Sequence, residues 1–173
     1  MTLPALVDVL VIVMPLLYAG VMALYGISFF KGTLSASRVK TPALFTAVFL
    51  HLIYIVFRTA EFDHPPVTTV FEIMTMLAFC IAVAYTYIEF KTQASNTGFF
   101  ILILALVFQT VSSLYIKDLT DIAPILRSRL LGFHVSAALL GYTAISLSAV
   151  YGTMYLLLYH EIKSSRFGVI YNR

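Results

Sequence analysis

The sequence has few charged residues, a single cysteine and no tryptophan. Charged side chains make up 11% of its 173 residues and hydrophobic ones 61%, a balance that excludes an ordinary soluble domain and predicts an integral membrane protein. Cys80 alone allows no internal disulfide, no cysteine-pair metal site and no C-x-x-C-H motif. The net charge of +3 informs the orientation of a membrane protein and predicts no nucleic-acid binding.

Five apolar runs are each long enough, at about 20 residues, to cross the hydrocarbon of a bilayer. No linker between them is long enough to divide the chain. We therefore predict an all-α, polytopic membrane helix bundle with five transmembrane helices that form one domain over residues 1–173. The first run lacks a basic n-region and a cleavage pattern, so we expect a retained span. The predicted spans are Pro4 to Phe30, Pro42 to Ala60, Val67 to Glu89, Gly98 to Ile116 and Leu130 to Tyr159.

The lysines and arginines of alternate loops predict the orientation. Seven of them lie in the first loop, the third loop and the C-terminal tail, and four lie in the second and fourth loops. Because the more basic side faces the cytoplasm, we predict that the N-terminus is outside and the C-terminus cytoplasmic. The loop with His64 and the connection from Lys117 to Arg129 then face outward.

His51 and Arg58 interrupt the second apolar run. His51 lies about nine residues, or roughly 14 Å, from either end of the predicted span, where its ring nitrogens need partners. Either it bonds to a neighbouring helix, or it is an axial ligand of a haem iron. Arg58 lies on the same face about 10 Å nearer the outer surface. Its guanidinium suits a haem propionate, but it can equally snorkel or pair with Glu61 or Glu72. We interpret Glu72 as a cap of the third helix.

One face of the fifth predicted helix carries a histidine above a column of small residues. Such a face can approach another helix, or a flat ligand, closely. His134 lies roughly 6 Å below the outer end of its span, about 8 Å shallower than His51, so we expect each histidine to have a different axial partner. His64, in the outer loop, can share the level of His134. The column consists of His134, Ala137, Gly141, Ala144, Ser148 and Gly152.

Two segments resemble motifs of one family. The segment HLIYIVFRTAEFDHPPVTTVFE, from His51 to Glu72, resembles the H…R…GHxPVTNxYES pattern of the membrane cytochrome c assembly proteins, the CcsA-like and HemX-like group. The segment ILRSRLLGFHVSAALLGYTAISLSAVYGTMYLLL, from Ile125 to Leu158, is similar to the LQSxWLxxHVSxxxLSYAA segment of that family. The resemblance extends over most of the chain from the second helix onward.

The resemblance implies a haem-binding component that moves haem b through the membrane and presents it to apocytochrome c. It implies that His51 is the intramembrane ligand of the iron and that His134 is an outward-facing ligand that positions haem. Arg58 would contact a propionate, and His64 stands where the family has a loop histidine. The bacterial cytoplasmic membrane is the expected location.

The chain also departs from the family pattern. Family members place a tryptophan-rich haem-binding motif, further helices and a second pair of histidines after the helix that corresponds to Leu130 to Tyr159, and this sequence has no tryptophan. Arg129 replaces an aromatic residue, and Phe71 and Ile73 replace the tyrosine and serine beside Glu72. The chain resembles the N-terminal part of such a protein: a natural half that works with a partner, a truncated product, or a relative adapted to another task. In the first case it would be part of a holocytochrome c synthase and not a complete enzyme alone. A second membrane subunit would supply the missing histidines and the tryptophan-rich motif.

Two other functions fit the sequence. One is a haem-bearing or structural membrane subunit of a respiratory or photosynthetic complex, with which the chain would co-purify. The other is a HemX-like regulator of haem biosynthesis that acts on a soluble enzyme through the cytoplasmic tail, Lys163 to Arg173.

Overall fold

The computed structural model describes residues 2–117, 129–164, 168 and 171. This part of the chain contains five α-helices and no β-strand, and all five are long and apolar enough to cross a membrane. The predicted all-α fold with five membrane-spanning helices is confirmed. The interior of the connection predicted from Lys117 to Arg129 lies outside the described residues, as does most of the tail after Ser164. The helices are α1 Leu3–Lys31, α2 Leu34–Phe62, α3 Val70–Thr92, α4 Gly98–Tyr115 and α5 Arg129–Lys163.

Helices α1 to α4 form a four-helix bundle, and α5 packs on its outside. In the bundle α1 contacts α2 and α4, while α3 contacts α4 and α2. The core contains tyrosines as well as aliphatic side chains: Tyr18, Tyr25, Tyr54 and Tyr85 are all at most 1% exposed. Helix α5 contacts α3 and α4, and Leu139 and Thr143 are its buried residues in the described part. Large apolar side chains also cover the outer surface, as expected where lipid is the solvent.

Helix α2 begins at Leu34, so the predicted start at Pro42 is wrong. Gly32 ends α1 in the left-handed conformation, with a φ of 63°, and donates its N–H to the carbonyl of Ser28. The chain therefore turns into α2 within the two residues between Lys31 and Leu34. The prediction failed because Arg38 and Lys40 suggested a loop, whereas Lys40 is buried against α1.

Candidate functional site

His51 lies in the centre of the bundle with no exposed surface. Its ring contacts an aromatic ring from each of two other helices, with centroids 5.6 Å from Tyr18 of α1 and 5.2 Å from Phe79 of α3. The hydroxyl of Tyr18 lies 2.9 Å from Nδ1 of His51. The other ring nitrogen, Nε2, is buried and has no hydrogen-bond partner in the described part of the chain.

This arrangement gives His51 one satisfied and one orphaned nitrogen. A buried polar atom without a partner costs about 1–3 kcal/mol, and such atoms call for a specific explanation. When Nδ1 carries the proton and donates it to Tyr18, the lone pair of Nε2 is available to a metal ion. Metal-bound histidines in general donate their second nitrogen to a neighbouring group in this way. His51 and Tyr18 therefore fit the ligand and the orienting partner of a haem iron.

Arg58 pairs with Glu72, and both side chains are at most 1% exposed. Nη2 and Nε of Arg58 lie 3.2 Å and 3.3 Å from Oε1 of Glu72. Nη2 also donates to the carbonyl of Lys117, at 3.1 Å. The guanidinium lies 4.7 Å from the centroid of the Phe62 ring. Among the alternatives for Arg58, the structure shows the pairing with Glu72, which ties α2, α3 and the residues after α4 together.

Glu72 also caps α3, as the sequence predicted. Its Oε2 accepts hydrogen bonds from the backbone N–H and the hydroxyl of Thr68, at 3.0 Å and 2.6 Å. Thr69 completes a capping box, because its hydroxyl accepts the N–H of Glu72 and its own N–H donates back to the carboxylate. The carboxylate thus fixes the start of a helix and neutralises a buried arginine.

His64 lies near the same end of the bundle and is 3% exposed. Its Nδ1 donates to the carbonyl of Pro65 at 3.0 Å, and its ring centroid lies 6.2 Å from that of Phe62. His64 and Arg58 are therefore neighbours of one phenylalanine ring.

His134 is exposed, and so is every member of the column of small residues below it. A side chain added at Gly141 or Gly152 would meet open space. Helix α5 turns this face away from α3, and in the described ranges it makes no contact with α1 or α2. The structure therefore does not bring His134 together with His51.

A second buried polar cluster, which the sequence reasoning missed, lies at the opposite end of the bundle. We call it the Glu89 cluster, and its members are Tyr25, Ser28, Lys40, Thr41 and Glu89. Glu89 accepts hydrogen bonds from Tyr25, at 2.6 Å, and from Thr41, at 2.5 Å. Lys40 donates to Ser28 at 2.9 Å. The sequence contained a signal for this cluster, because Lys40 lies near the start of α2 and Glu89 near the end of α3. In two consecutive antiparallel helices these two ends lie side by side.

The Glu89 cluster and the Arg58–Glu72 pair are separated by about the thickness of the hydrocarbon of a bilayer. Lys40 and Arg58 are 18 residues apart in α2, which corresponds to about 27 Å, against about 30 Å of hydrocarbon. His51 lies between them, about 10 Å from the level of Arg58. We therefore expect the buried charges to lie near the two interfaces, with His51 in the apolar interval between them.

Comparison with known proteins finds one family. A family model described as cytochrome C assembly protein matches residues 36–172. A cytochrome c biogenesis protein CcsA of Heterosigma akashiwo is 29% identical over 128 residues, which cover 70% of this chain and 40% of that protein. The CcsA protein of Trieres chinensis is 24% identical over 147 residues, or 83% of this chain and 47% of that one. The alignments thus span less than half the length of these relatives. No solved structure matches the chain.

Proposed function

Because the chain belongs to the cytochrome c assembly protein family, we propose that it is a haem-binding membrane component of cytochrome c biogenesis. It would carry haem b through the bilayer and present it for attachment to apocytochrome c. The observation that carries this proposal is the buried, unpartnered Nε2 atom of His51 beside the Tyr18 hydroxyl. The chain would be part of a holocytochrome c synthase.

His51 would hold the haem iron through Nε2, and Tyr18 would orient the imidazole through Nδ1. Haem supplies an iron that binds imidazole. It also carries two negatively charged propionates. The ring of His51 has no exposed surface, so haem reaches Nε2 only when the surrounding side chains move. The aromatic side chains of Tyr18, Tyr54 and Phe79 enclose the ring, and they would then form apolar walls that exclude water from the iron.

Arg58 would contact a propionate from its position about two helical turns from His51. Its guanidinium already donates to Glu72, so a propionate would compete with that carboxylate for the same donors. His64 would lie at the same level, at the outer end of the haem.

His134 and the exposed column of α5 would face a second membrane polypeptide. Small residues allow the backbones of two helices to approach closely, and the column meets no other helix in the described part of the chain. The partner would supply the tryptophan-rich motif and the further histidines, so that His134 binds iron in a site that two polypeptides share. The chain would lie in the bacterial cytoplasmic membrane, with its N-terminus outside the cytoplasm.

The test is the haem absorbance of the purified full chain. We expect His51→Gly to lose most of the bound haem, and added imidazole to restore it by entering the space that the side chain leaves. Cytochrome c maturation in cells should fall in parallel. His160→Gly is the matched control, because His160 is exposed near the end of α5, and it should keep both haem and maturation.

Two results would overturn the proposal. One is a purified wild-type chain without haem absorbance, from cells that make haem. The other is a His51→Gly chain that binds haem and supports maturation as the wild type does.

A further inference from the structure

A groove between α2 and α3 begins at the Glu89 cluster and continues into the apolar part of the bundle. Its polar end has a volume of about 390 Å³ and is lined by Lys40 and Glu89, among other residues. An apolar hollow of about 360 Å³ adjoins it and shares two lining residues, Phe45 and Phe90. The groove is therefore polar at one end and wholly apolar along the rest.

The groove runs from the end of the bundle that contains Lys40 and Glu89, which we expect at the level of the headgroups, towards the centre of the bundle. Along α2 its lining continues past Lys40 as far as Val48, eight residues or about 12 Å beyond that charge. Along α3 it continues from Glu89 back to Val83, about 9 Å from that charge in the same direction. This is the shape of a site for an amphipathic molecule that stands upright in one leaflet.

The polar end holds two buried charges of opposite sign that do not pair. Lys40 is 5% and Glu89 is 6% exposed. The ammonium of Lys40 donates to the neutral hydroxyl of Ser28 and lies 5.4 Å from the centre of the Tyr25 ring. Glu89 accepts two neutral hydroxyls. Neither charge has an ion-pair partner in the ranges that the structure describes. Lys40 and Glu89 lie near enough to act on each other electrostatically, but neither touches an opposite charge of the described chain directly. A ligand with one charge of each sign would therefore pair with both.

We propose that this groove binds a zwitterionic glycerophospholipid with a primary ammonium headgroup. The phosphate lies against Lys40, the ammonium donates to Glu89, and an acyl chain lies along Phe45, Val83 and Phe90. This assignment follows from charge complementarity at the polar end and from the continuous apolar hollow below it. It uses none of the residues that would hold haem, so it stands or falls independently of the proposed function.

The experiment is native mass spectrometry of the full chain, delipidated in detergent and titrated with phosphatidylethanolamine, phosphatidylcholine or phosphatidylglycerol. We expect phosphatidylethanolamine to bind at least tenfold more tightly than either of the others. Phosphatidylcholine lacks the N–H donors that Glu89 can accept, and phosphatidylglycerol lacks the cation. One lipid should bind per chain, and its addition should raise the melting temperature.

Variants separate the headgroup from the acyl chain. Lys40→Gln should weaken binding of phosphatidylethanolamine about tenfold, and Glu89→Gln should abolish its advantage over phosphatidylglycerol. Lys91→Gln is the control, because Lys91 is exposed on α3, and it should change neither. Val83→Phe should fill the hollow and weaken binding of all three lipids while the charged end stays intact.

Equal affinities for the three lipids, unchanged by Lys40→Gln and Val83→Phe, would mean ordinary surrounding lipid and would overturn the proposal. So would a dimer of the chain that excludes lipid, since a second copy would then occupy the groove.

Discussion

The surroundings of single residues decide which of them can do chemistry. His51 and Arg58 both interrupt the same apolar helix, and both are buried. Arg58 is paired with a carboxylate, whereas His51 keeps one nitrogen without a partner in the part of the chain described above. Removing one partner of a buried ion pair typically costs about 3–5 kcal/mol, so Arg58 has a structural role whatever it binds. His51 is the residue whose burial calls for a ligand.

Our first prediction concerns Tyr18, whose hydroxyl bonds to Nδ1 of His51 and would orient the imidazole toward iron. Tyr18→Phe removes the hydroxyl from Nδ1 but keeps the ring. We expect haem affinity to fall about 10- to 100-fold, the usual effect of losing such a partner. The reduction potential of bound haem should rise, because an imidazole without a hydrogen-bond acceptor is a weaker donor to iron. Absorbance titration and redox titration measure the two effects.

Tyr25→Phe is the control for that experiment. It is the same substitution on the same helix, and it also removes one buried hydrogen bond, that with Glu89. It should leave haem affinity and potential unchanged. If Tyr18→Phe matches the wild type in both measurements while His51→Gly loses haem, Tyr18 has no orienting role and the ligand assignment still stands.

At the scale of elements, the helices are positioned by a few local contacts. The capping box of Thr69 and Glu72 fixes the start of α3, and Gly32 permits the left-handed turn after α1. The start of α4 depends on close approach, because a Cβ atom at Gly98 would overlap the ring of Tyr25 and the hydroxyl of Tyr85. The glycines of α5 have no such neighbours, so their lack of a side chain serves no contact in the described structure.

We therefore predict opposite outcomes for two glycine substitutions. Gly98→Ala should destabilise the chain by about 1–3 kcal/mol, because it overpacks the core. Gly141→Ala should be neutral or slightly stabilising, since alanine favours helices by about 1 kcal/mol over glycine. Thermal unfolding in detergent compares the two. Equal losses of stability would contradict this prediction, because they would mean that the face of α5 with Gly141 packs against another helix of the chain.

At the scale of the whole molecule, burial changes the number of loop lysines and arginines from which the orientation in the membrane is predicted. Lys40 and Arg58 were counted as loop charges but are buried in α2. Without them, six lysines and arginines remain on the predicted cytoplasmic side and three on the other. The predicted orientation is therefore unchanged, with a larger ratio between the two sides.

Cysteine labelling tests this orientation. In a Cys80→Ala chain, Thr2→Cys should react with a membrane-impermeant maleimide in intact cells, because the N-terminus is predicted to lie outside. Ala94→Cys, in the loop between α3 and α4, should react only after lysis. Both native residues are uncharged and exposed, so the substitutions leave the charge count unchanged. The reverse labelling pattern would contradict the prediction.

The sequence by itself determined the number of membrane spans and the interval that contains His51. A spanning helix must satisfy its own backbone hydrogen bonds over about 20 apolar residues, and that requirement can be read locally. It also predicted that Glu72 caps α3, because the hydroxyls of Thr68 and Thr69 lie four and three positions before it.

Only the tertiary structure decided which side chains meet. The contacts of Tyr18 with His51, Arg58 with Glu72 and Tyr25 with Glu89 join residues of different helices. The exposed column of α5 likewise depends on how that helix packs. Helices that are apolar on every face carry little pattern that fixes their rotation, because lipid and protein interior are similarly apolar. Packing shape and a few polar contacts fix the rotation instead, and these appear only when all the helices are in place.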